Sequence, residues 1–332
     1  MLKDKIVIKI KNRRQSFLYD MFLVILFILI NVGLIFTLSN SHTQAQELDS
    51  SLTNITFVGD IMLGRYIEPV IEQKGIEEIF SNVNEIFESS DLVVGNIETS
   101  ILEPSYEGYV QDALIKDIKT DQKVFKDIDK SGLDLFAFAN NHLADYGYKG
   151  LVDTYEYLKQ SNYNFMGIFE NDQSEFYHSE KINNLNFAFI NFTDVIPYSY
   201  SNYKGEVRSN APGMLYYTDH SDLIEQAIKQ ARLNHDVVIA YVHWGNEYEN
   251  TVNENQHKIS KKLAEWGVDL VVGSHPHVLQ PIYTVGDMLV VPSLGNFVFD
   301  QVQGSTVIGS ILNVGFNQEG KIESITFVPT QA

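Results

Sequence analysis

Cysteine is absent from all 332 residues, which excludes thiolate metal sites, thiol nucleophiles and disulfide bracing. Any chemistry must come from imidazole, carboxylate, hydroxyl or amide groups. Basic residues are also scarce, with 24 Lys and Arg against 43 Asp and Glu and a formal charge of −19. Six of those basic residues (Lys3, Lys5, Lys9, Lys11, Arg13 and Arg14) crowd the N-terminus, so the remainder is more acidic still. No nucleic-acid partner is expected, because affinity for phosphate backbones rests on clustered Lys and Arg. An acidic body also repels acidic polymers at long range, so a polyanionic ligand would need local basic groups or bound cations. Repeats and low-complexity tracts are missing from Thr53 onward, and a hydrophobic content of 44% is ample for a sizeable core.

One long apolar run is present, "MFLVILFILINVGLIFTL" from Met21 to Leu38. It matches the ~20 residues that cross a bilayer as a helix. Basic residues on its N-terminal side predict a cytoplasmic N-terminus and a large extracellular part, anchored in the cell membrane. A cleaved signal peptide is the rival, since "TQA" at Thr43 to Ala45 resembles a small-residue cleavage site, but the run exceeds a signal-peptide core. The expected organisation is a basic tail (1–16), a membrane anchor (17–38), a polar linker (39–52) and one domain (53–332).

Within that domain short apolar runs alternate with amphipathic stretches, the pattern of an α/β fold. The runs include "ITFVG", "DLVVG" twice, "DLFAFA", "FAFINF", "DVVIAYV" and "MLVVPSLG". Their continuous apolar character predicts strands buried on both faces. "STVIGSILNVGF" and "IESITFVP" have no helix between them, which predicts an antiparallel hairpin completing a mixed sheet. Residues 194–220 are long and Tyr-rich for a connection, so a surface lobe or lid is expected there.

Chemistry-bearing residues follow the apolar runs. Asp60 ends the first, and Asn96 and Glu98 end the second. Asn140, Asn141 and His142 follow the third, His243 ends another, His275 and His277 come next, and Asn296 comes last. In a largely parallel sheet the carboxyl ends of the strands share one edge, where α/β proteins place ligands. The set of carboxylates, amides and imidazoles is a mixed O/N donor set that suits Mn, Fe or Zn better than Ca. Glu98 is the candidate to bridge two divalent ions, and two His at alternate positions, stiffened by Pro276, can each reach a different ion. Arg65 can hold a substrate carboxylate or phosphate, or form a structural salt bridge. Asn96 and Asn296 are further candidates for substrate contact.

"FVGDIMLGR", "GNIETSI", "FANNHLADYG", "YVHWGNEY", "GSHPHVLQP" and "SLGNFVFD" occur in this order between Asn54 and Asp300. Together they resemble the bacterial capsule-synthesis CapA family, the poly-γ-glutamate synthesis proteins, within the calcineurin-like metallophosphoesterase superfamily. The resemblance implies a four-layer αββα sandwich with a metal centre at the strand ends. It implies Asp60, Glu98, Asn141, His243, His275 and His277 as metal ligands, with Glu98 at the bridging position. His142 would protonate the leaving group. The superfamily opens its first motif with Asp-x-His, whereas Asp60-Ile61-Met62 stands here and removes one imidazole; Glu98 also replaces the usual Asp. One ion, or a weakly held second, is consistent with those departures, which CapA relatives share. Three functions are expected in turn. The first is a role in synthesis, export or attachment of anionic poly-γ-glutamate, with a metal-dependent hydrolase or transferase site. The second is an extracellular phosphoesterase on a phosphate-containing substrate, and the third a non-catalytic subunit of a polymer synthase complex.

Overall fold

The computed structural model describes residues 6–9, 48–103, 105, 118–196 and 211–332. The expected membrane span, most of the tail and linker, and the centre of the expected lobe at 194–220 lie outside the described residues. Two mixed sheets and a two-stranded ribbon form the frame. The first sheet has the order β1-β16-β15-β2-β3-β6-β7, with β14 paired to β2. Its strands are β1 (Ile6–Lys9), β2 (Thr53–Ile61), β3 (Leu92–Ile97), β6 (Leu135–Ala137), β7 (Phe165–Met166), β14 (Asn296–Val298), β15 (Ile308–Phe316) and β16 (Ile322–Gln331). The second sheet has the order β12-β13-β11-β10-β9-β8. It comprises β8 (His178–Ile182), β9 (Leu185–Thr193), β10 (Val237–His243), β11 (Leu270–Ser274), β12 (Tyr283–Val285) and β13 (Met288–Val291). The ribbon pairs β4 (Ser100–Leu102) with β5 (Lys119–Asp121).

Side-chain alternation sets the layers. Phe187 and Phe189 of β9 point one way and pack with Phe57 of β2, Val94 of β3 and Tyr241 of β10, forming a core between the two sheets. Ala188, Ile190 and Phe192 point the other way, onto Ile224 and Ile228 of one helix and Ile259 and Leu263 of another. Val58, Val93 and Ile97 of the first sheet meet a separate helical layer through Phe80, Phe125 and Leu151. Helix, sheet, sheet and helix thus stack as four layers. Both faces of each central strand are covered, which is why those strands read as unbroken apolar runs.

The helices are α1 (Ile67–Lys74), α2 (Ile76–Phe80), α3 (Asn84–Glu88), α4 (Gln122–Phe125), α5 (Gly147–Gln160), α6 (Tyr217–Asn234) and α7 (Glu254–Trp266). Local chemistry fixes the bounds of α7. Asn253 and Gln256 form a capping box at its start, and Gly267 ends it in a left-handed conformation at φ 105°. The stretch from Ile76 to Ser90, which reads as one helix in sequence, is instead two short helices joined by a 3₁₀ turn at Ser81–Val83. The expected C-terminal hairpin is β15 and β16, and it adds antiparallel to β2. β1 pairs antiparallel with the outer edge of β16. That pairing and a tail held across a membrane from residues 53–332 exclude one another.

Parallel pairing aligns the strand ends that matter. Asp60 of β2 is in register with Asn96 of β3 on one side and Asn296 of β14 on the other. His243 closes β10 beside Ser274, the last residue of β11. Glycines let the backbones approach at this edge. A Cβ on Gly59 would stand 2.0 Å from the Gly295 carbonyl oxygen, and one on Gly273 would stand 1.9 Å from that of Pro292.

Candidate metal centre

The carboxyl ends of both sheets bring six sequence-predicted groups into one buried cluster. Asp60, Glu98 and His243 present ligand atoms within 4.8 Å of one another, and so do Glu98, His275 and His277. Glu98 belongs to both triads. Its main chain is fixed by an N–H bond of 2.8 Å to the Ile61 carbonyl, which holds it directly beside β2. Among the described residues neither of its carboxylate oxygens has a hydrogen-bond partner, although the residue is fully buried. A buried carboxylate without donors costs several kcal/mol, so the site is chemically incomplete without a positive charge. His275 Nδ1 is a second buried atom of the cluster with no hydrogen-bond partner among the described residues. Oxygen and nitrogen ligand atoms without hydrogen bonds, converging in one buried cluster, fit a divalent cation, with no sulfur among them.

The other donors are held by partners that orient them. Asp60 Oδ1 accepts from Asn96 Nδ2 at 2.8 Å, and Oδ2 accepts the His275 backbone N–H at 3.2 Å. Asn141 Oδ1 accepts a hydrogen bond from His243 Nε2 at 2.7 Å, which brings the amide oxygen and the imidazole side by side in the cluster. His243 Nδ1 sits 2.9 Å from Ser274 Oγ, the kind of outer contact that fixes the tautomer of a ligand. His277 Nδ1 is 2.9 Å from Asn296 Oδ1, and its Nε2 is 3.7 Å from Glu98 Oε1. The loop carrying both imidazoles is contorted. His275 and His277 have φ of 96° and 57°, left-handed values that non-glycine residues adopt mainly where the surrounding structure forces them. Pro276 between them explains how one short segment turns both rings inward.

Residues 54–301 match the family described as "Bacterial capsule synthesis protein PGA_cap". The chain belongs to this family. Among characterised relatives, the PGA biosynthesis protein CapA of Bacillus subtilis (strain 168) is 34% identical over 261 residues, which span 78% of this chain and 66% of that one. The chain therefore spans just under two thirds of the length of that relative. The capsule biosynthesis protein CapA of Bacillus anthracis is 29% identical over 310 residues, 90% of this chain and 73% of that one. A hypothetical protein from Thermus thermophilus superposes with a TM-score of 0.49 at 12% identity, covering 84% of this chain and 99% of that one.

Four further sequence-predicted residues of this PGA_cap domain frame the cluster. His142 Nδ1 is 2.7 Å from Asp145 Oδ2, and Nε2 points at Glu98 Oε1 from 3.6 Å. Arg65 lies on the rim, ion-paired with Asp300 and 5.4 Å above the Phe299 ring. Asn96 and Asn296 are fully buried. Their amides reach Asp60 and His277 rather than open solvent, so the structure places them behind the ligands and not at a substrate surface. Met62, two residues after Asp60, is buried against Ile118 and Phe299 and accepts the Gly64 N–H on sulfur, so it offers no ligand to the cluster. Asp145, Ser274 and Gln301 are additions that sequence reading did not single out. Asp145 was findable, three residues after His142 in the same turn; Ser274 and Gln301 carry no distinguishing signal.

Electrostatics follow burial and charge. Burial, reinforced by the Asp60 charge, lifts the Glu98 carboxyl to about 8. Burial alone would lower His277, but the Glu98 and Asp60 carboxylates overcome it and raise the imidazole to about 9. His243 and His275 are pushed well below the ordinary range by burial and by neighbouring imidazoles, which leaves them neutral as ligands must be. In His142 burial is again opposed, here by the Asp145 charge and hydrogen bond, and the net shift is upward. A separate polar groove of about 570 Å³, lined by Leu52, Asn54, Asp91, Asn183 and Phe316, lies at the start of β2 and β3, away from this chemistry.

Proposed function

We propose that this chain is a membrane-anchored, extracellular PGA_cap protein acting in synthesis, export or attachment of the anionic polymer poly-γ-glutamate through a metal-dependent hydrolase or transferase site. The single observation that carries the catalytic part is Glu98, buried, with no hydrogen bond to either carboxylate oxygen among the described residues and shared by two candidate ligand triads. Asp60, Glu98, Asn141, His243, His275 and His277 would hold one or two ions of Mn, Zn or Fe. Such an ion would polarise a phosphoryl or amide oxygen and lower the pKa of water. His142, oriented by Asp145, presents Nε2 to the same pocket and can pass a proton to a leaving group there. Positive charge in the pocket also counters the long-range repulsion between an acidic domain and an acidic chain. The anchor and the extracellular location rest on the apolar run and its basic flank, and they require Ile6–Lys9 to leave β16 when residues 17–38 span the bilayer.

The test is elemental analysis of the full-length chain purified in detergent and reconstituted with Mn, Zn or Fe. One or two ions per chain are expected, and loss of them in Asp60→Ala/His277→Ala. Wild-type protein that retains none rejects the metal centre and leaves a non-catalytic synthase subunit. A second reading is an extracellular phosphoesterase, which would use the same His142–Asp145 pair as its proton donor. That reading predicts Mn-dependent turnover of an aryl phosphodiester, abolished by Asp60→Ala.

A further inference from the structure

Tyr248 ends the "YVHWGNEY" stretch and is the outermost group over the cluster, 54% exposed. Its φ of 65° is left-handed, a conformation that bulky side chains avoid unless their surroundings impose it. Three contacts impose it, and all lead to His277. The Tyr248 backbone N–H donates to the carbonyl of Pro276 at 2.8 Å, next to that histidine. The phenol ring lies over the His277 ring with centroids 6.0 Å apart and planes at 32°. A chain of amides closes the circuit. Gln301 Nε2 donates to Tyr248 Oη at 3.3 Å, Asn296 Nδ2 donates to Gln301 Oε1 at 3.1 Å, and Asn296 Oδ1 meets His277 Nδ1 at 2.9 Å.

The circuit has a direction. Asn296 Nδ2 also donates to the Thr306 carbonyl, so Oδ1 must face His277. An amide oxygen accepts, and Asp60 Oδ2 lies 3.3 Å from the same nitrogen, so Nδ1 keeps its proton and Nε2, which faces Glu98, is the nitrogen that would give up its proton to an ion. Phe299 is a second aromatic neighbour of the same imidazole, with ring centroids 4.9 Å apart.

We infer that Tyr248 and Gln301 form a latch that positions His277 for the ion, fixing its tautomer and covering its outer face. Tyr248 is therefore a positioning residue for the centre. The inference rests on the metal-centre reading above, and its test separates the two. Mn(II) affinity of the full-length protein is measured by competition with a chelator for wild type, Tyr248→Phe, Tyr248→Ala, Gln301→Ala and Tyr248→Phe/Gln301→Ala. Loss of an outer-shell partner commonly weakens metal binding by about 10–100-fold, and Tyr248→Ala should fall in that range. Tyr248→Phe keeps the ring and should lose less, matching Gln301→Ala. The double variant should be no weaker than the worse single, as expected of two links in one chain. The visible absorption of Co(II)-loaded protein should shift in the same variants, while their ion-free melting temperatures stay at the wild-type value. Should Tyr248→Ala fail to fold, the Tyr248→Phe and Gln301→Ala pair carries the same comparison. Wild-type affinity in every variant, or losses that multiply in the double, overturns the latch alone. Wild-type protein that binds no Mn(II) overturns the metal centre and the latch with it.

Discussion

Lowering the pH from 7 to 6 should weaken metal binding steeply, because two of the ligands must each release a proton. Without the ion, Glu98 titrates at about 8 and His277 at about 9, so both are protonated at pH 7. His243 and His275 are already neutral and release nothing. Binding needs the carboxylate and the free imidazole nitrogen, so about two protons leave per filled site and affinity changes roughly 100-fold per pH unit below pH ~8. The assay is Mn(II) competition against a chelator at several pH values, corrected for the chelator's own protonation. Calorimetry in two buffers of different ionisation enthalpy counts the released protons directly. His277→Gln removes one of the two groups and should reduce the slope to about tenfold per unit while lowering affinity. An affinity that is flat between pH 6 and 7, or a wild-type slope unchanged in His277→Gln, would refute the reasoning.

Glu98→Gln should abolish metal binding yet stabilise the ion-free protein at alkaline pH. The folded carboxyl is raised from 4.5 to about 8, so ion-free stability falls as pH rises through that window, and the amide removes a penalty on the order of a few kcal/mol; equal urea midpoints for the two proteins at pH 9 would count against it. Asp145→Asn removes the charge that holds His142 up, so the burial effect prevails and the imidazole loses its proton at lower pH. If His142 works as the acid, the alkaline limb of Mn-dependent aryl phosphodiesterase activity moves to lower pH, and an unmoved limb assigns the proton to another group. The chain has no cysteine, so Lys3→Cys gives a single thiol. With an anchor at residues 17–38 it should react with a membrane-impermeant maleimide only in lysed cells, whereas labelling of intact cells would favour β1 pairing with β16 on the outside.

What the sequence made legible depended on burial. β2, β3, β9, β10 and β11 are covered on both faces, so their central residues are largely apolar and their carboxyl ends stand out as places where polarity returns. That is why Asp60, Glu98, His243 and the His275–His277 pair could be named from position alone. β8 stayed hidden for the opposite reason. It is an edge strand with an exposed, alternating "HSEKI" pattern that gives no apolar run. The ribbon of β4 and β5 was hidden because each strand is only three residues long. Side-chain partners were the least legible of all. Asn96 and Asn296 follow apolar runs just as the ligands do, and sequence position cannot tell an amide that faces solvent from one that props a ligand. Only three-dimensional register, Asp60 between Asn96 and Asn296, assigns them to the support of the centre. Met62 brings no ligand to the cluster. Its backbone N–H continues the pairing with β14 by donating to the Val298 carbonyl at 2.8 Å, but its side chain packs with Ile118 and Phe299 and its sulfur accepts the Gly64 N–H. The remaining donors, centred on Glu98, would therefore have to hold an ion without help from that position.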